Sequence, residues 1–287
     1  MRPLLVLLVC SWALVARGEE LPAWISPEGQ NDPHAGMVLD TANGIWLTPV
    51  MLVESLASAP HVLIGEKHDN PDHHRLQLWL LQRLQAKRQQ GALLMEMIEP
   101  GQQPAVDRLQ GELARDEAKL EQQLGWSQGW DWQLYGPLVR WGLTDSERLL
   151  AANLTEEEMR AIHRAPAAET GVYAPDAIAE LNELISTSHC GKLPEDAFPA
   201  MLRIQQGRDQ RMAEQLAAAP TPALLLAGNY HVRKDLGAPL HWPADGPAAP
   251  LVVMLVEAGG GLPDRSETDF VWLTPGLAAQ DYCANWE

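Results

Sequence analysis

The chain is poor in basic residues, in phenylalanine and in cysteine. Its 287 residues include 21 Lys and Arg against 38 Asp and Glu, which gives a formal net charge of −17 at pH 7. Nucleic acids and anionic membranes are polyanions, so this charge opposes non-specific binding to either of them. With 2 Phe beside 11 Trp, aromatic packing must rely on a side chain that carries a polar N–H.

Two further features are missing beyond the N-terminus. No nucleotide fingerprint of the Walker or dinucleotide type is present, and the three glycines at 259–261 precede no predicted helix. After Gly18 no apolar stretch is long enough to span a bilayer. The sequence therefore predicts neither a nucleotide-binding loop nor a membrane-spanning helix in the body of the protein.

Residues 1–18 have the features of a secretory signal peptide. Met1 and Arg2 precede an apolar run, and Ala16-Arg17-Gly18 resembles a small-x-small cleavage site that would leave Glu19 as the first mature residue. The alternative is a lipobox ending at Cys10, which would be acylated, although Val9 is bulky for such a motif. Either interpretation predicts export to the periplasm, as a soluble protein or one tethered by lipid to the outer membrane.

Two cysteines remain in the body of the protein, Cys190 and Cys283. In an oxidising compartment two remaining cysteines most simply pair, so we predict a disulfide between them. A metal or thiolate site at His189 and Cys190 is the alternative, but the surrounding residues lack zinc-ligand spacing.

Short apolar runs alternate with amphipathic segments, a pattern that predicts an α/β fold. Strands are expected at 61–66, 92–98, 223–228, 251–257 and 270–273, with a further candidate at 149–152. The first two flank a helix that begins at Asn70, which implies a parallel strand-helix-strand unit. We predict a parallel-stranded core sheet flanked by helices, formed by 45–100 and 220–275, with an inserted all-helical subdomain at 101–219.

Two predicted strands end in the same short motif, Gly-x-x-His. Gly-Glu-Lys-His occupies 65–68 and Gly-Asn-Tyr-His occupies 228–231, and a third strand-like run carries Glu96. Ligands of open α/β sheets bind beyond the carboxyl ends of the strands. We therefore expect Glu66, His68, Glu96 and His231 to converge. They could hold a divalent metal, act in general-base catalysis, or form a structural ion-pair network.

The order of these motifs resembles that of the ChaN family of haem-binding uptake proteins. The matching segments are IGEKHDNPDHH at 64–74, MEM at 95–97, WQLYGP at 132–137, ANL at 152–154, HCGKLP at 189–194, QQGRDQRMA at 205–213 and GNYH at 228–231. The resemblance covers roughly 45–285. The family belongs to a wider group with the TraB, Tiki and erythromycin-esterase proteins, which share the Gly-x-x-His signature.

The resemblance implies an exported or lipid-anchored protein that binds haem for iron uptake or storage, with a dimer and a tyrosine iron ligand. No local motif identifies that tyrosine. We favour Tyr173, in a loop expected to be exposed, over Tyr135, in an aromatic helix. Because the wider group includes hydrolases, the rival prediction is a metal-assisted or general-base hydrolase that uses the paired Gly-x-x-His site.

Overall fold

Eight strands form one sheet in the computed structural model, which describes residues 20–112, 117–166 and 171–284. The predicted signal peptide and Cys10 lie outside these residues. The strands are β1 (Val38–Asp40), β2 (Ile45–Leu47), β3 (His61–Glu66), β4 (Gln90–Met95), β5 (Ser146–Ala151), β6 (Ala223–Gly228), β7 (Leu251–Glu257) and β8 (Phe270–Thr274).

Helices connect most of these strands. Within the described residues they are α1 (Pro49–Leu56), α2 (Pro71–Gln85), α3 (Gln103–Leu109), α4 (Glu117–Leu124), α5 (Trp132–Asp145), α6 (Glu156–Arg164), α7 (Pro175–Ser188), α8 (Phe198–Ala218) and the short α9 (Asn229–Val232). No helix in this part of the chain combines the length and apolar character needed to cross a bilayer.

The sheet has the order β2-β1-β8-β7-β3-β6-β4-β5. The six strands from β8 to β5 are parallel, whereas β1 pairs antiparallel with both β2 and β8. The predicted α/β fold is therefore confirmed. The sheet begins at Val38 rather than near residue 45, because the segment before residue 45 supplies β1.

The segment 101–219 differs from the all-helical insertion that the sequence predicted. Strand β5 lies within it and pairs in parallel with β4 at the edge of the sheet. Its residues are less completely buried than those of the central strands, because β5 has a neighbouring strand on one side only. The candidate strand at 149–152 was thus the correct interpretation of that stretch, and the core includes part of the predicted insertion.

The sheet order also changes the expected strand-helix-strand unit. Strands β3 and β4 run parallel, but β6 lies between them and pairs with both. The two strands that end in Gly-x-x-His are consequently neighbours, and Glu66 is in register with Gly228. The position of β6 next to β3 therefore brings the two motifs together at the carboxyl ends of these strands.

The central strands are buried on both faces, which explains their uninterrupted apolar runs. Alternate residues enter two separate cores: Ile64 and Leu226 face α1, α2 and α5, whereas Leu63 and Leu225 face the side covered by α8. A third apolar cluster joins α7 to α8 and includes Tyr173. Helix α8 therefore has a fixed position over the sheet, and this position determines which of its side chains reach the strand ends.

The predicted disulfide is present between Cys190 and Cys283. Cys190 follows the end of α7, and Cys283 lies in the C-terminal segment beyond β8. The bond fastens the C-terminal segment to the helical side of the molecule. Tyr282 lies next to it and donates a hydrogen bond to Asp69, in the loop that follows β3.

Candidate functional site

The carboxyl ends of β3, β6 and β4 meet at one place on the sheet edge. Glu66 is the last residue of β3, Gly228 is the last of β6, and Glu96 immediately follows β4. The sequence placed Glu96 inside its strand, but the ladder ends one residue earlier. Glu66 and Glu96 are each 1% exposed, so their charges require partners.

Glu66 is bound by His68 and Tyr135. Its Oε1 lies 2.7 Å from Nδ1 of His68 and accepts a hydrogen bond of 2.9 Å from the Tyr135 hydroxyl, which α5 brings over the strand end. Burial alone would lower the pKa of His68, but the hydrogen bond and the charge of Glu66 outweigh burial and raise it to about 9. His68 is therefore an imidazolium at neutral pH.

Glu96 is held by a different set of donors. Arg208 donates to its Oε1 at 2.5 Å, and the backbone N–H of Gly228 donates to its Oε2 at 2.8 Å. Burial would raise the pKa of Glu96, but the neighbouring His231 and Arg208 side chains outweigh burial and lower the pKa to about 2. Asn153 completes this arrangement by donating to the backbone carbonyl of Glu96.

His231 has its own carboxylate partner, Asp209. The Nδ1 of His231 lies 2.5 Å from Oδ1 of Asp209, and its Nε2 lies 3.5 Å from Oε1 of Glu96. Burial raises the pKa of Asp209, although the adjacent His231 opposes this effect. The site therefore contains two imidazoles, His68 and His231, each with a carboxylate at its Nδ1 atom.

Arg208 and Asp209 are functional residues to which the sequence analysis assigned no role. They are adjacent on α8 and belong to the motif at 205–213, which was read only as part of the resemblance. Asp209 is fully buried, which is rare for an Asp and indicates a partner. A sequence signal that could have identified them is the presence of two adjacent charged residues in a helix that packs on the sheet.

The glycines of the two motifs are required by close packing. A Cβ atom on Gly228 would lie 2.9 Å from both Cε1 and Nε2 of His68. A Cβ atom on Gly65 would lie 2.4 Å from side-chain atoms of Asn229 and Val232. Gly228 therefore leaves room for His68 of the first motif, and Gly65 leaves room for Asn229 and Val232, which lie in and next to the second motif. This mutual packing gives the repeated Gly-x-x-His pattern a physical reason.

A cleft of about 1030 Å³ opens at this site. This volume is at the upper end of the range for small-molecule and cofactor sites. Its polar lining includes Glu66, Lys67, His68, Gln205, Arg208, Tyr230, His231 and Arg233, and its apolar lining includes Leu184, Met254, Val256, Leu262 and Pro263. The lining of the cleft is thus mixed, with both charged and apolar side chains.

The four residues predicted to hold a metal do converge, but they form ion pairs. In the described ranges, no three His, Cys, Asp or Glu side chains are placed so that they could hold a metal ion. Glu66 is bound to His68 and Tyr135, and Glu96 is bound to Arg208. His73 and His74 are buried in α2, where His73 accepts from the Lys67 N–H and His74 lies against the His68 carbonyl.

The two tyrosines predicted to bind haem iron are both buried. Tyr173 is 6% exposed and packs between α7 and α8, so the expectation that it lies on an exposed loop is wrong. Tyr135 is 1% exposed. Burial and a nearby carboxylate, Asp209 for Tyr173 and Glu66 for Tyr135, raise the pKa of both phenols far above their usual value. Tyr230, by contrast, lines the cleft and is 38% exposed.

Comparison with known proteins agrees with the resemblance that the sequence motifs indicate. The family described as haem-binding uptake, Tiki superfamily, ChaN matches residues 52–241. The structure of ChaN from Campylobacter jejuni with cofacially bound haem is 27% identical and superimposes with a TM-score of 0.71 over 82% of this chain and 95% of that one.

The structure of the type III effector HopBA1 is 14% identical, with a TM-score of 0.47 over 78% of this chain and 92% of that one. No curated protein matches the sequence. The family match covers well over half of the chain and spans both Gly-x-x-His motifs as well as α8. The chain therefore belongs to the ChaN family of haem-binding uptake proteins.

Proposed function

We propose that this protein binds haem in the cleft at the ends of β3 and β6, and that it serves haem or iron uptake or storage after export. The observation that carries the proposal is a cleft of cofactor size in a chain whose fold matches the cofacial haem complex of Campylobacter ChaN. The mixed lining suits haem, which combines a flat apolar macrocycle with two propionates and an iron ion.

The chemistry of the lining residues fits this ligand. Leu262 and Pro263 can contact the macrocycle, while the guanidinium groups of Arg208 and Arg233 suit carboxylates. Iron requires a donor atom that the protein can leave unprotonated. When bound, haem supplies an iron centre whose reactivity depends on the axial ligand and on the groups around that ligand.

Tyr230 is the tyrosine whose position best suits iron ligation. It lies in the second Gly-x-x-His motif and lines the cleft, with the Arg233 guanidinium 6.0 Å from its ring centroid. Tyr173 and Tyr135, the sequence-based candidates, would have to lose a proton beside a buried carboxylate, which opposes ionisation.

Haem titration of three phenylalanine variants tests this assignment. We expect Y230F to weaken ferric haem binding and to remove the phenolate-to-iron charge-transfer band from the absorption spectrum, whereas Y173F and Y135F keep that band. A Y230F protein with unchanged affinity and spectrum would return the assignment to Tyr173 or Tyr135, whichever variant loses the band. A wild-type protein that binds no haem would refute the proposed function.

Export, a lipid anchor and dimer formation belong to the same proposal. The N-terminal sequence supports cleavage near residue 18 or acylation at Cys10, and the family resemblance supports a dimer that forms with haem. Periplasmic fractionation of wild type and C10S separates the soluble form from the anchored one. Sedimentation of the mature protein with and without haem tests the dimer, and an unchanged monomer in both states would refute it.

The second candidate function is general-base hydrolysis. The observation that favours it is the presence of two imidazoles, His68 and His231, each braced by a carboxylate at Nδ1 in one cleft. His231 would take a proton from water, and the His68 imidazolium would give one to the leaving group. Ester or peptide turnover that disappears in H231A would support hydrolysis, whereas the absence of turnover in wild type would refute it.

A further inference from the structure

We propose that residues 277–284, here called the C-terminal strap, control the release of ligand from the cleft through the redox state of the Cys190–Cys283 bond. Reduction of this bond frees the strap and loosens the loop at 67–70, so that haem leaves faster. The inference rests on the proposed function, since it concerns haem held in the cleft.

The first argument is the path of the strap, which passes the carboxyl ends of the strands between two fixed points. Just before its start, Gly276 forms a β-bridge with Glu28, with backbone hydrogen bonds of 2.8 and 3.0 Å. At its far end Cys283 is bonded to Cys190, which follows α7. Ser188, the last residue of α7, lines the cleft. The disulfide therefore fastens the strap beside one wall of the cleft.

The second argument is that two carboxylates connect the strap to the cleft. The Leu277 N–H donates to Oε1 of Glu257 at 3.2 Å, and the Tyr282 hydroxyl donates to Oδ2 of Asp69. Both carboxylates hold the ammonium group of Lys67, whose Nζ lies 3.3 Å from an oxygen of each. Lys67 and Glu257 line the cleft. Strap contacts are thereby transmitted to a charged side chain that a bound ligand can meet.

The third argument is the way in which the far end of the strap is held. All residues from 278 to 284 are exposed, so no apolar core retains this stretch. Without the disulfide, the exposed hydrogen bond from Tyr282 to Asp69 would have to offset the conformational entropy of several ordered residues. The cost of ordering even one residue is comparable to the net contribution of such a bond. Reduction should therefore free the strap and leave Asp69 without its donor.

The disulfide is also accessible to a reductant. Cys283 is exposed and Cys190 is half-buried, and exposed disulfides are typical of labile or regulatory bonds. Cys190 has a φ of 57°, in the left-handed region, at a helix end where glycine is the usual residue. Opening the bond allows this backbone to relax, which favours the open form.

The reductant would be a protein dithiol of an exported oxidoreductase. One of its thiolates attacks a sulfur of the Cys190–Cys283 bond and forms a mixed disulfide, which its second thiol then resolves. Two electrons and two protons pass to the cysteine pair, which ends as two thiols, while the dithiol becomes a disulfide.

Hydrogen exchange tests the release of the strap without any ligand. Oxidised protein is compared with protein that is reduced, alkylated with iodoacetamide and then freed of both reagents. We expect faster exchange after alkylation in the strap and at 67–70, where the Asn70 N–H donates to the Lys67 carbonyl. Exchange in the buried strand β6 should not change. Equal exchange at 67–70 in the two forms would overturn the proposal.

Transfer of bound haem to excess apomyoglobin measures the functional consequence. We expect the alkylated protein and C190S/C283S to release haem about three- to tenfold faster than the oxidised wild type, the factor that corresponds to one net hydrogen bond. Y282F keeps the disulfide but removes the donor to Asp69, so it should also release haem faster. Q280A, at an exposed position of the same strap, is the matched control and should release haem at the wild-type rate.

The outcomes separate this inference from the proposed function. Haem that leaves the oxidised and alkylated proteins at equal rates would overturn redox control of release and leave haem binding intact. If C190S/C283S does not fold, the alkylated protein and Y282F provide the same test. A wild type that binds no haem would overturn both proposals.

Discussion

At the scale of single residues, the site depends on which charges are paired. Glu66 and Glu96 are both buried and lie at the ends of nearby strands, yet they have different partners. Glu66 orients an imidazole that is accessible from the cleft, whereas Glu96 is saturated by Arg208 and the Gly228 N–H. Glu96 therefore fixes the end of β6 by binding the Gly228 N–H. Glu66 instead fixes the orientation of His68, which lines the cleft.

Replacement of Gly228 by Ala provides a test at this scale. Because the added Cβ would lie 2.9 Å from the His68 ring, we expect the imidazole to move and the free energy of unfolding to fall by about 1–3 kcal/mol. Haem affinity should fall as well. G101A is the control, since no atom lies within 4 Å of the Cβ position at Gly101. Urea unfolding and haem titration measure both effects, and equal behaviour of the two variants would contradict the packing argument.

At the scale of secondary-structure elements, α2 joins the loop after β3 to the end of β8. Asn70 caps the helix by accepting from the Asp72 N–H, and Pro71 occupies the first turn. From that turn His73 accepts from the Lys67 N–H at Nδ1 and contacts the Thr274 hydroxyl at Nε2, with a distance of 2.9 Å in each case. The neutral imidazole is therefore a buried link between the loop that carries His68 and the neighbouring part of the sheet.

The burial of His73 predicts a dependence of stability on pH. Burial lowers the pKa of His73 well below its ordinary value of 6.5, so the unfolded chain binds a proton more readily than the folded one. Stability from this residue is complete above pH 6.5 and is lost as the pH falls toward the folded pKa, by up to about 1.4 kcal/mol per pH unit. Unfolding free energies of H73Q should show a shallower decline below pH 6.5.

The exposed His163 on α6 provides the control for this experiment. H163Q should keep the wild-type decline of stability with falling pH, because the substitution changes an exposed side chain on α6 and leaves the buried His73 in place. An H73Q profile parallel to that of wild type would show that other groups cause the loss of stability in acid.

At the scale of the whole molecule, the disulfide ties the C-terminal segment to the helical side. It closes a loop over a sequence separation of 93 residues, from the end of α7 to the segment beyond β8. The chain-entropy model assigns a loop of this length about 4 kcal/mol of stability. Leu184 and Ser188 of α7 line the cleft, so the bond also helps to hold one wall of the cleft.

Removal of both cysteines tests this contribution. C190S/C283S should have a free energy of unfolding about 4 kcal/mol below that of oxidised wild type, measured in urea. Wild type treated with a reductant should approach the double variant, whose own unfolding should not respond to the reductant. Free thiols detected by mass analysis in the exported wild-type protein would contradict the pairing itself.

The sequence alone determined much of the local structure. The bounds of β3, β6 and β7, the start of α2 and the pairing of Cys190 with Cys283 follow from apolar runs, a capping residue and the cysteine count. These features depend on neighbouring residues, or on there being two cysteines to pair, so a single sequence contains enough information to predict them. The meeting of the two Gly-x-x-His motifs followed from a general rule about strand ends.

Only the tertiary structure decided how the segments combine. β6 lies between β3 and β4, α8 brings Arg208 and Asp209 to the strand ends, and Tyr173 is buried although its loop sequence predicted exposure. Each outcome depends on packing between separate elements of the fold, to which local periodicity is insensitive. The sequence therefore identified His68 and Glu66, and the fold determined that Tyr135 of α5 completes the pair by donating a hydrogen bond to Glu66.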